Sequence, residues 1–253
     1  LTESEKERSP GSFLRDLLDG RFKPEIAGAT GQIGLTLPER LVAGGYPEPL
    51  TRSSSRARQW HRHYLRAIVE RDIKDIGRIR QGEDVARLLE LLAQRTASLL
   101  NASSLAKDLG LNRVTVEHYL LLLERLFLVR RLPAWHRHPA RRLVKTPKVH
   151  LVDSGLAATL AGIGETDWLE RRELMGHLLE SFAVQQIISQ GSWTDPDLRF
   201  WHYRDKDKVE VDLVITRARA VWGIKVKAAA SVCERDVRGL QRLAAQSGTD
   251  FRS

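Results

Sequence analysis

A single cysteine, Cys233, stands among the 253 residues. No disulfide can therefore close within the chain, and no metal cluster can be built on thiolates. Such usage suits a reducing cytoplasm. No apolar N-terminal segment resembles a signal peptide. Long hydrophobic runs are also missing. The most apolar stretch, YLLLLERLFLV at 119–129, is interrupted by Glu124 and Arg125 and is too short to span a bilayer. No G-x-x-x-x-G-K-[ST] pattern occurs. GATGQIGL at 28–35 is rich in glycine but lacks the lysine that reaches nucleotide phosphates. The chain is thus not expected to bind or hydrolyse ATP alone. It contains no internal repeat and no long low-complexity tract.

What is present points to a folded chain with a real core. Hydrophobic residues make up 42% and charged residues 29%, with a mean hydropathy of −0.33. That fits one large domain or two small ones. The net charge is +9 and the isoelectric point about 10.0. This favours a polyanionic partner, nucleic acid ahead of a membrane surface. An arginine-rich surface with no such partner would give the same total, so distribution matters more. Between Arg130 and Lys148 there are seven Arg or Lys residues and no Asp or Glu.

Residues 1–50 hold two short helical patterns, GSFLRDLLDGRF and LPERLVAGG, each too short to stand alone. They end in the rigid turn GGYPEPL. Residues 51–127 read as helical. SSSRARQWHRHYLRAIVERDIKDIG places Trp60, Tyr64 and Ile68 along one side, then Ile73 and Ile76 after a shift of phase. Val85, Leu88, Leu89 and Leu92 follow at helical spacing. Residues 128–152 combine basic residues and prolines with the strand-like pieces FLVRRL and KVHLVD. Helix returns over 153–190. Residues 198–227 are strand-rich, in LRFWHYR, VEVDLVITR and AVWGIKVK. A last helix, ERDVRGLQRLAAQSG, leads to DFRS, where Phe251 is placed to open another strand. The expected fold class is α+β, mainly helical in its N-terminal half.

SSLAKDLGLNRVTVEHYLLLLERL reads as a helix–turn–helix. Gly110 suits the left-handed residue that closes the first helix, and Asn112 caps the second. Ala106 is small where the helices approach. Leu105, Leu109, Leu111, Val116 and Leu120 are its expected core. Arg113, Thr115 and His118 fall on the outward face near the start of the second helix, the end that usually meets DNA. FLVRRLPAWHRHPARRLVKTPKVHLVD then fits a winged hairpin with a basic tip. Its cations Arg130, Arg131, Arg137, Arg141, Arg142, Lys145 and Lys148 are candidates to neutralise phosphates. Against this, winged helices also serve as protein–protein modules, and Glu117 on the outward face is unhelpful beside phosphate. Trp135 is expected to pack on the surface of the wing or to stack on a base. His136 and His138 have no third ligand nearby, so no metal site is expected there.

Along VEVDLVITR the faces alternate. Val209, Val211, Leu213 and Ile215 point one way; Glu210, Asp212 and Val214 point the other. If the next strand pairs through the short turn, Asp212 can face Lys225 and Lys227. Metal-assisted phosphodiester hydrolysis wants two or more carboxylates around a divalent cation, plus a lysine. Asp212 and Lys227 supply two parts, and Glu180 on a neighbouring helix can supply another carboxylate. On spacing alone, an ordinary hairpin with an Asp–Lys pair explains the pattern equally well.

Several stretches together carry a resemblance: LTESE, GGYPEPL, YLRAIVERDI, LLNASSLAKDLGLNRVTVEHYLLLLERLFLVRRLPAW, RRLVKTPKVHLVDSGLAATLAG, GHLLESFAVQQI and HYRDKDKVEVDLVI, in that order. The chain resembles the prokaryotic AAA-type ATPases that carry a C-terminal domain of unknown function. The resemblance implies a P-loop ATPase module first, a winged helix next, and a PD-(D/E)xK restriction-endonuclease-like α/β domain last. On that plan residues 1–50 are the helical tail of an absent ATPase module, 51–152 the helical and winged part, and 153–253 the nuclease-like domain. Both ends are expected to be truncated relative to the pattern. ATP and Mg²⁺ would belong to the absent module, and no cofactor is expected here.

One departure bears on catalysis. Where the family's strand usually reads I-E-V-K, this chain reads Ile224-Lys225-Val226-Lys227. By position Glu180, Asp212 and Lys227 match the nuclease-like motif, whereas Lys225 replaces a carboxylate. At about 4 Å and an effective dielectric near 20, one unit-charge interaction is roughly 4 kcal/mol. A cation at that position therefore opposes metal binding, and no bound metal is expected. The leading expectation is a cytoplasmic, DNA-associated, non-catalytic portion of an AAA-type ATPase, with no membrane contact. A separate ATPase module or a second copy of the chain are further expected partners. A protein-interaction or assembly module is the second reading, and an active metal-dependent DNA nuclease the third.

Overall fold

The computed structural model describes residues 1–8, 13–22, 36–73, 82–138, 146–229 and 231–252. Its helices in chain order are α1 (Glu3–Lys6), α2 (Phe13–Leu18), α3 (Leu37–Ala43), α4 (Pro47–Leu50), α5 (Ser54–Ile68), α6 (Gly82–Gln94), α7 (Ala102–Leu109), α8 (Arg113–Arg125), α9 (Ser154–Ala161), α10 (Asp167–Glu170), α11 (Arg172–Thr194) and α12 (Glu234–Ser247). The strands are β1 (Ser98–Leu99), β2 (Val129–Leu132), β3 (Lys148–Leu151), β4 (Arg199–Arg204), β5 (Glu210–Arg217) and β6 (Ala220–Ile224). The fold is α+β, with antiparallel sheets in the orders β1-β3-β2 and β4-β5-β6. The chain divides into two units. A helical unit comprises Pro38–Leu132 and Thr146–Ser181, and a strand-rich unit comprises Leu1–Leu37, Pro133–Lys145 and Phe182–Ser253.

In the helical unit, local chemistry sets the element boundaries. The Asn101 side chain accepts from the Ser104 N–H at 2.9 Å and starts α7. Gly110, at φ +69°, ends that helix. Asn112 accepts from the Thr115 N–H at 2.8 Å and starts α8. Leu105, Ala106, Leu109, Val116 and Leu120 are buried between these helices and α6, which contributes Val85, Leu88, Leu89 and Leu92. Each such leucine stabilises the core by about 1.5–3 kcal/mol. Strand β2 then pairs with β3, Val129 opposite Leu151 and Leu132 opposite Lys148, and β1 takes the other edge of β3. After α5, Val69–Ile73 form a π-helical turn. A π turn adds one residue to the helical ladder, which accounts for the phase shift after Ile68. Ile76 lies outside the described residues.

Asp153 ties the GGYPEPL turn to this unit. One carboxylate oxygen accepts from the Leu156 N–H at 2.7 Å and caps α9. The other accepts from the Gly45 N–H at 2.6 Å. The contact requires bare backbone: a Cβ on Gly44, itself at φ +68°, would lie 2.5 Å from the Asp153 carboxylate.

In the strand-rich unit β5 is the middle strand, and both of its faces are covered. Val211, Asp212, Leu213, Val214 and Ile215 are all fully buried. The two sets of residues that alternate along the strand are therefore buried alike, one on each side. Trp135 also differs from expectation. Its backbone N–H donates to the His202 carbonyl at 2.6 Å, and its ring meets Tyr203 edge-on at 6.1 Å. It lies in a core with Tyr203, Val211, Val214, Val221 and Leu243, on neither a wing surface nor an open stacking platform. The N-terminal residues join the same unit. The Glu3 N–H donates to Gln186 at 2.8 Å and the Leu14 N–H to Gln190 at 3.3 Å, both on α11. Phe251 makes a one-residue parallel bridge to Val221. Among the described residues, no helix is long and apolar enough to cross a membrane.

Candidate functional site

The β5–β6 hairpin turns over Ala218 and Arg219, with Ala218 at φ +53°. Its register sets Leu213 opposite Ile224, so Asp212 falls beside Lys225. The Lys225 ammonium lies 2.7 Å from one Asp212 carboxylate oxygen. The Val226 N–H donates to the other oxygen at 2.7 Å. Asp212 has no solvent exposure, while 27% of the Lys225 side chain remains accessible. Lysine and backbone thus hold both oxygens that a divalent ion would need. The residues present do not fit a catalytic metal at this position. Among the described residues no group of three or more His, Cys, Asp or Glu side chains could hold a metal ion.

The other motif residues are engaged elsewhere. Lys227 pairs with Asp236 in the first turn of α12, not with Asp212. That ammonium, with the Cys233 N–H and thiol, holds the Asp236 carboxyl well below the usual carboxylate range. Glu180 belongs to the helical unit and receives the Lys148 ammonium at 2.6 Å. Asp205 and Asp207, beside the β4–β5 turn, are both bound by Arg242.

The expected DNA-contact residues fall into several environments. Arg113, His118 and Arg137 are exposed. Arg113 reaches Glu117 at 3.8 Å. Thr115 is half-buried, and its hydroxyl donates to the Asn112 cap at 3.0 Å. Arg130 is half-buried, and burial pushes its guanidinium down from the ordinary value. Arg131 is clamped by Glu124, whose hydrogen bond raises the guanidinium's pKa, with Glu117 at 3.5 Å. Lys148 is 2% exposed and paired, which removes it from a phosphate-facing surface. Arg141, Arg142 and Lys145 lie outside the described residues.

A basic surface not singled out from sequence lies on α5. Arg56, Arg62, Arg66 and His63 are exposed, and the three arginines form no ion pair among the described residues. Behind them Trp60 and Tyr64 stack at 4.9 Å, and Tyr46 packs on both rings. The signal was available: from Pro49 to Val69 there are five arginines and no Asp or Glu. On one side the surface borders a cleft of about 1030 Å³, lined by Arg62 and Arg66 and also by Glu83, Asp84 and Glu90.

Residues 35–167 match the family model described as a domain of unknown function, DUF8612, and the chain belongs to that family. Residues 175–253 match a second domain of unknown function, DUF4143. Two curated relatives are the uncharacterized protein Mb2031c of Mycobacterium bovis and the uncharacterized protein Rv2008c of Mycobacterium tuberculosis. Each is 28% identical over 206 residues, covering 80% of this chain and 46% of the relative. The chain therefore spans about half the length of the curated relatives it matches. No solved structure matches it.

Proposed function

We propose that this chain is the DNA-associated, non-catalytic C-terminal portion of an AAA-type ATPase family protein. The match to DUF4143, a domain commonly associated with AAA-type ATPases, supports the family part of this reading. In it, α6, α7 and α8 with β1, β2 and β3 form a winged helix, and β4–β6 with α12 form a nuclease-like platform. Lys225 takes the position of the missing carboxylate and keeps that platform inactive. ATP and Mg²⁺ act in a separate ATPase module, and the assembly works in the cytoplasm.

The exposed arginines of α5, which form no ion pair among the described residues, carry the DNA part of the proposal. Exposed guanidinium groups of this kind can neutralise phosphates, which releases counterions and makes binding depend on salt. Fluorescence anisotropy with a labelled DNA duplex, titrated with salt, tests the reading. Each lost phosphate contact lowers the log–log salt slope by about 0.9, so Arg62→Glu with Arg66→Glu is expected to lower it by about 1.8. The loss should be similar for unrelated duplex sequences. Absence of binding at low salt, or an unchanged slope in the double variant, would refute it. The non-catalytic part fails if the purified chain nicks supercoiled plasmid with Mg²⁺ and Asp212→Ala abolishes the cut.

A further inference from the structure

The outward face of α8 is more apolar than a surface helix requires. Val114 is 79% exposed and Leu121 40% exposed, seven residues apart on one side of the helix. Phe127 follows just past the helix end and is 76% exposed. Its backbone is unusual as well. The Phe127 N–H donates to the Glu124 carbonyl at 3.0 Å, and Leu128 N–H to Leu123 at 3.0 Å, the pattern that closes a helix with a left-handed residue. Glycine normally fills that position, whereas Phe127 holds it at φ +55°. A bulky residue in this conformation is strained, and here the strain presents an aromatic ring to solvent. Isolated exposed apolar residues need no explanation. A stripe of three ending in a strained aromatic residue does.

The charges beside the stripe indicate what covers it. When two identical helices cross antiparallel at a residue, positions equally far before and after that residue face one another. With Leu121 at the crossing, the exposed Arg125 of one copy, which has no ion pair among the described residues, comes against Glu117 of the other, whose carboxylate meets Arg113 and Arg131 of its own chain only at 3.8 and 3.5 Å. Val114 comes opposite position 128, one residue past Phe127, so the two exposed apolar side chains lie next to one another across the contact. Apolar residues meet apolar residues and opposite charges meet, as a two-fold interface demands. We infer that α8 pairs with α8 of a second copy of this chain through Val114, Leu121 and Phe127. This goes beyond the DNA reading and does not depend on it, because the arginine face belongs to α5. One helix face is small beside the roughly 800 Å² per partner of a standard stable complex, so the dimer is weak and forms in the micromolar range.

Sedimentation velocity of the full chain across that range tests the pairing. A concentration-dependent monomer–dimer equilibrium is expected, and Leu121→Asp should raise its Kd at least tenfold. Phe127→Gly separates association from folding. Glycine relieves the left-handed strain, so this variant should melt no lower than the parent yet dimerise more weakly. Glu117→Arg and Arg125→Glu should each weaken the dimer, and together they should restore it. A chain that stays monomeric throughout overturns the inference and leaves the stripe to a different protein. A dimer indifferent to Leu121→Asp and Phe127→Gly overturns it equally.

Discussion

Replacing Lys225 with alanine removes the ammonium 2.7 Å from a fully buried carboxylate. At that distance and an effective dielectric near 20, the gross attraction is about 6 kcal/mol. Part of it is offset by the desolvation of both groups, and part is screened because 27% of the Lys225 side chain reaches solvent. Breaking buried ion pairs by removing one partner costs roughly 3–5 kcal/mol, and the partial exposure places this pair near the lower end, at about 3 kcal/mol. For a chain of this length each kcal/mol moves the melting midpoint by about 2–4 °C. The expected fall is then about 6–12 °C, read by circular dichroism or differential scanning fluorimetry. Asp212→Asn combined with Lys225→Ala should recover most of the loss. The amide oxygen can still accept from the Val226 N–H, and no charge remains buried. A double-mutant cycle should give a coupling of about 2 kcal/mol or more. If Lys225→Ala melts within about 2 °C of the parent, the pair contributes little. The picture of a lysine neutralising a sealed carboxylate is then wrong.

Two further substitutions probe packing and protonation. A Cβ at position 239 would sit 2.2 Å from the Glu210 carbonyl oxygen, where α12 crosses β5, so Gly239→Ala should lower the urea midpoint by the equivalent of about 1–3 kcal/mol or more. An unchanged midpoint would mean that α12 can move off the strand at no cost. Burial holds the His61 imidazole below its ordinary pKa of 6.5, against the opposing pull of Asp153. The unfolded chain then binds a proton that the folded chain refuses. The contribution of this group to stability is fully present above pH 6.5 and is lost as pH falls from there through the folded-state value. His61→Gln should flatten that decline in a series of melting curves, and an identical slope would assign the pH dependence to other groups.

Much of the helical unit was legible because its determinants are local. Asn101, Gly110 and Asn112 mark helix ends through their own side chains or lack of one, and the spacing of Val85, Leu88, Leu89 and Leu92 defines a face without knowledge of what covers it. Even the π turn left a trace, as a break in phase after Ile68. The residues that sequence placed poorly are those whose partners lie far along the chain. The clustering of Arg and Lys between 130 and 148 put Lys148 in a basic wing, but the strand is buried and the ammonium finds Glu180. Trp135 looked like a wing residue because it follows β2, yet its backbone joins β4 through His202. In the candidate site, the Asp212–Lys225 contact followed from the hairpin alone. The choice of Asp236 by Lys227 required knowing where α12 packs. The helical pattern was read to residue 190, but α11 continues to Thr194; at Gly191 the missing Cβ leaves room for the Phe200 ring, 2.4 Å from where that atom would be.

The Gly45–Asp153 hydrogen bond joins residues 108 positions apart, and the Leu14–Gln190 bond joins residues 176 apart. Each unit takes segments from opposite sides of the other's sequence. On the ribosome neither unit can close early. The helical unit must await residues up to Ser181, and the N-terminal helices must await α11. Contacts so distant in sequence slow folding, because loop closure precedes the reward. The three helices α6, α7 and α8 can cover one another early, but the part of α6 that α9 packs on stays exposed until Ser154–Ala161 has been made, and such exposed apolar surface is open to aggregation and to chaperones.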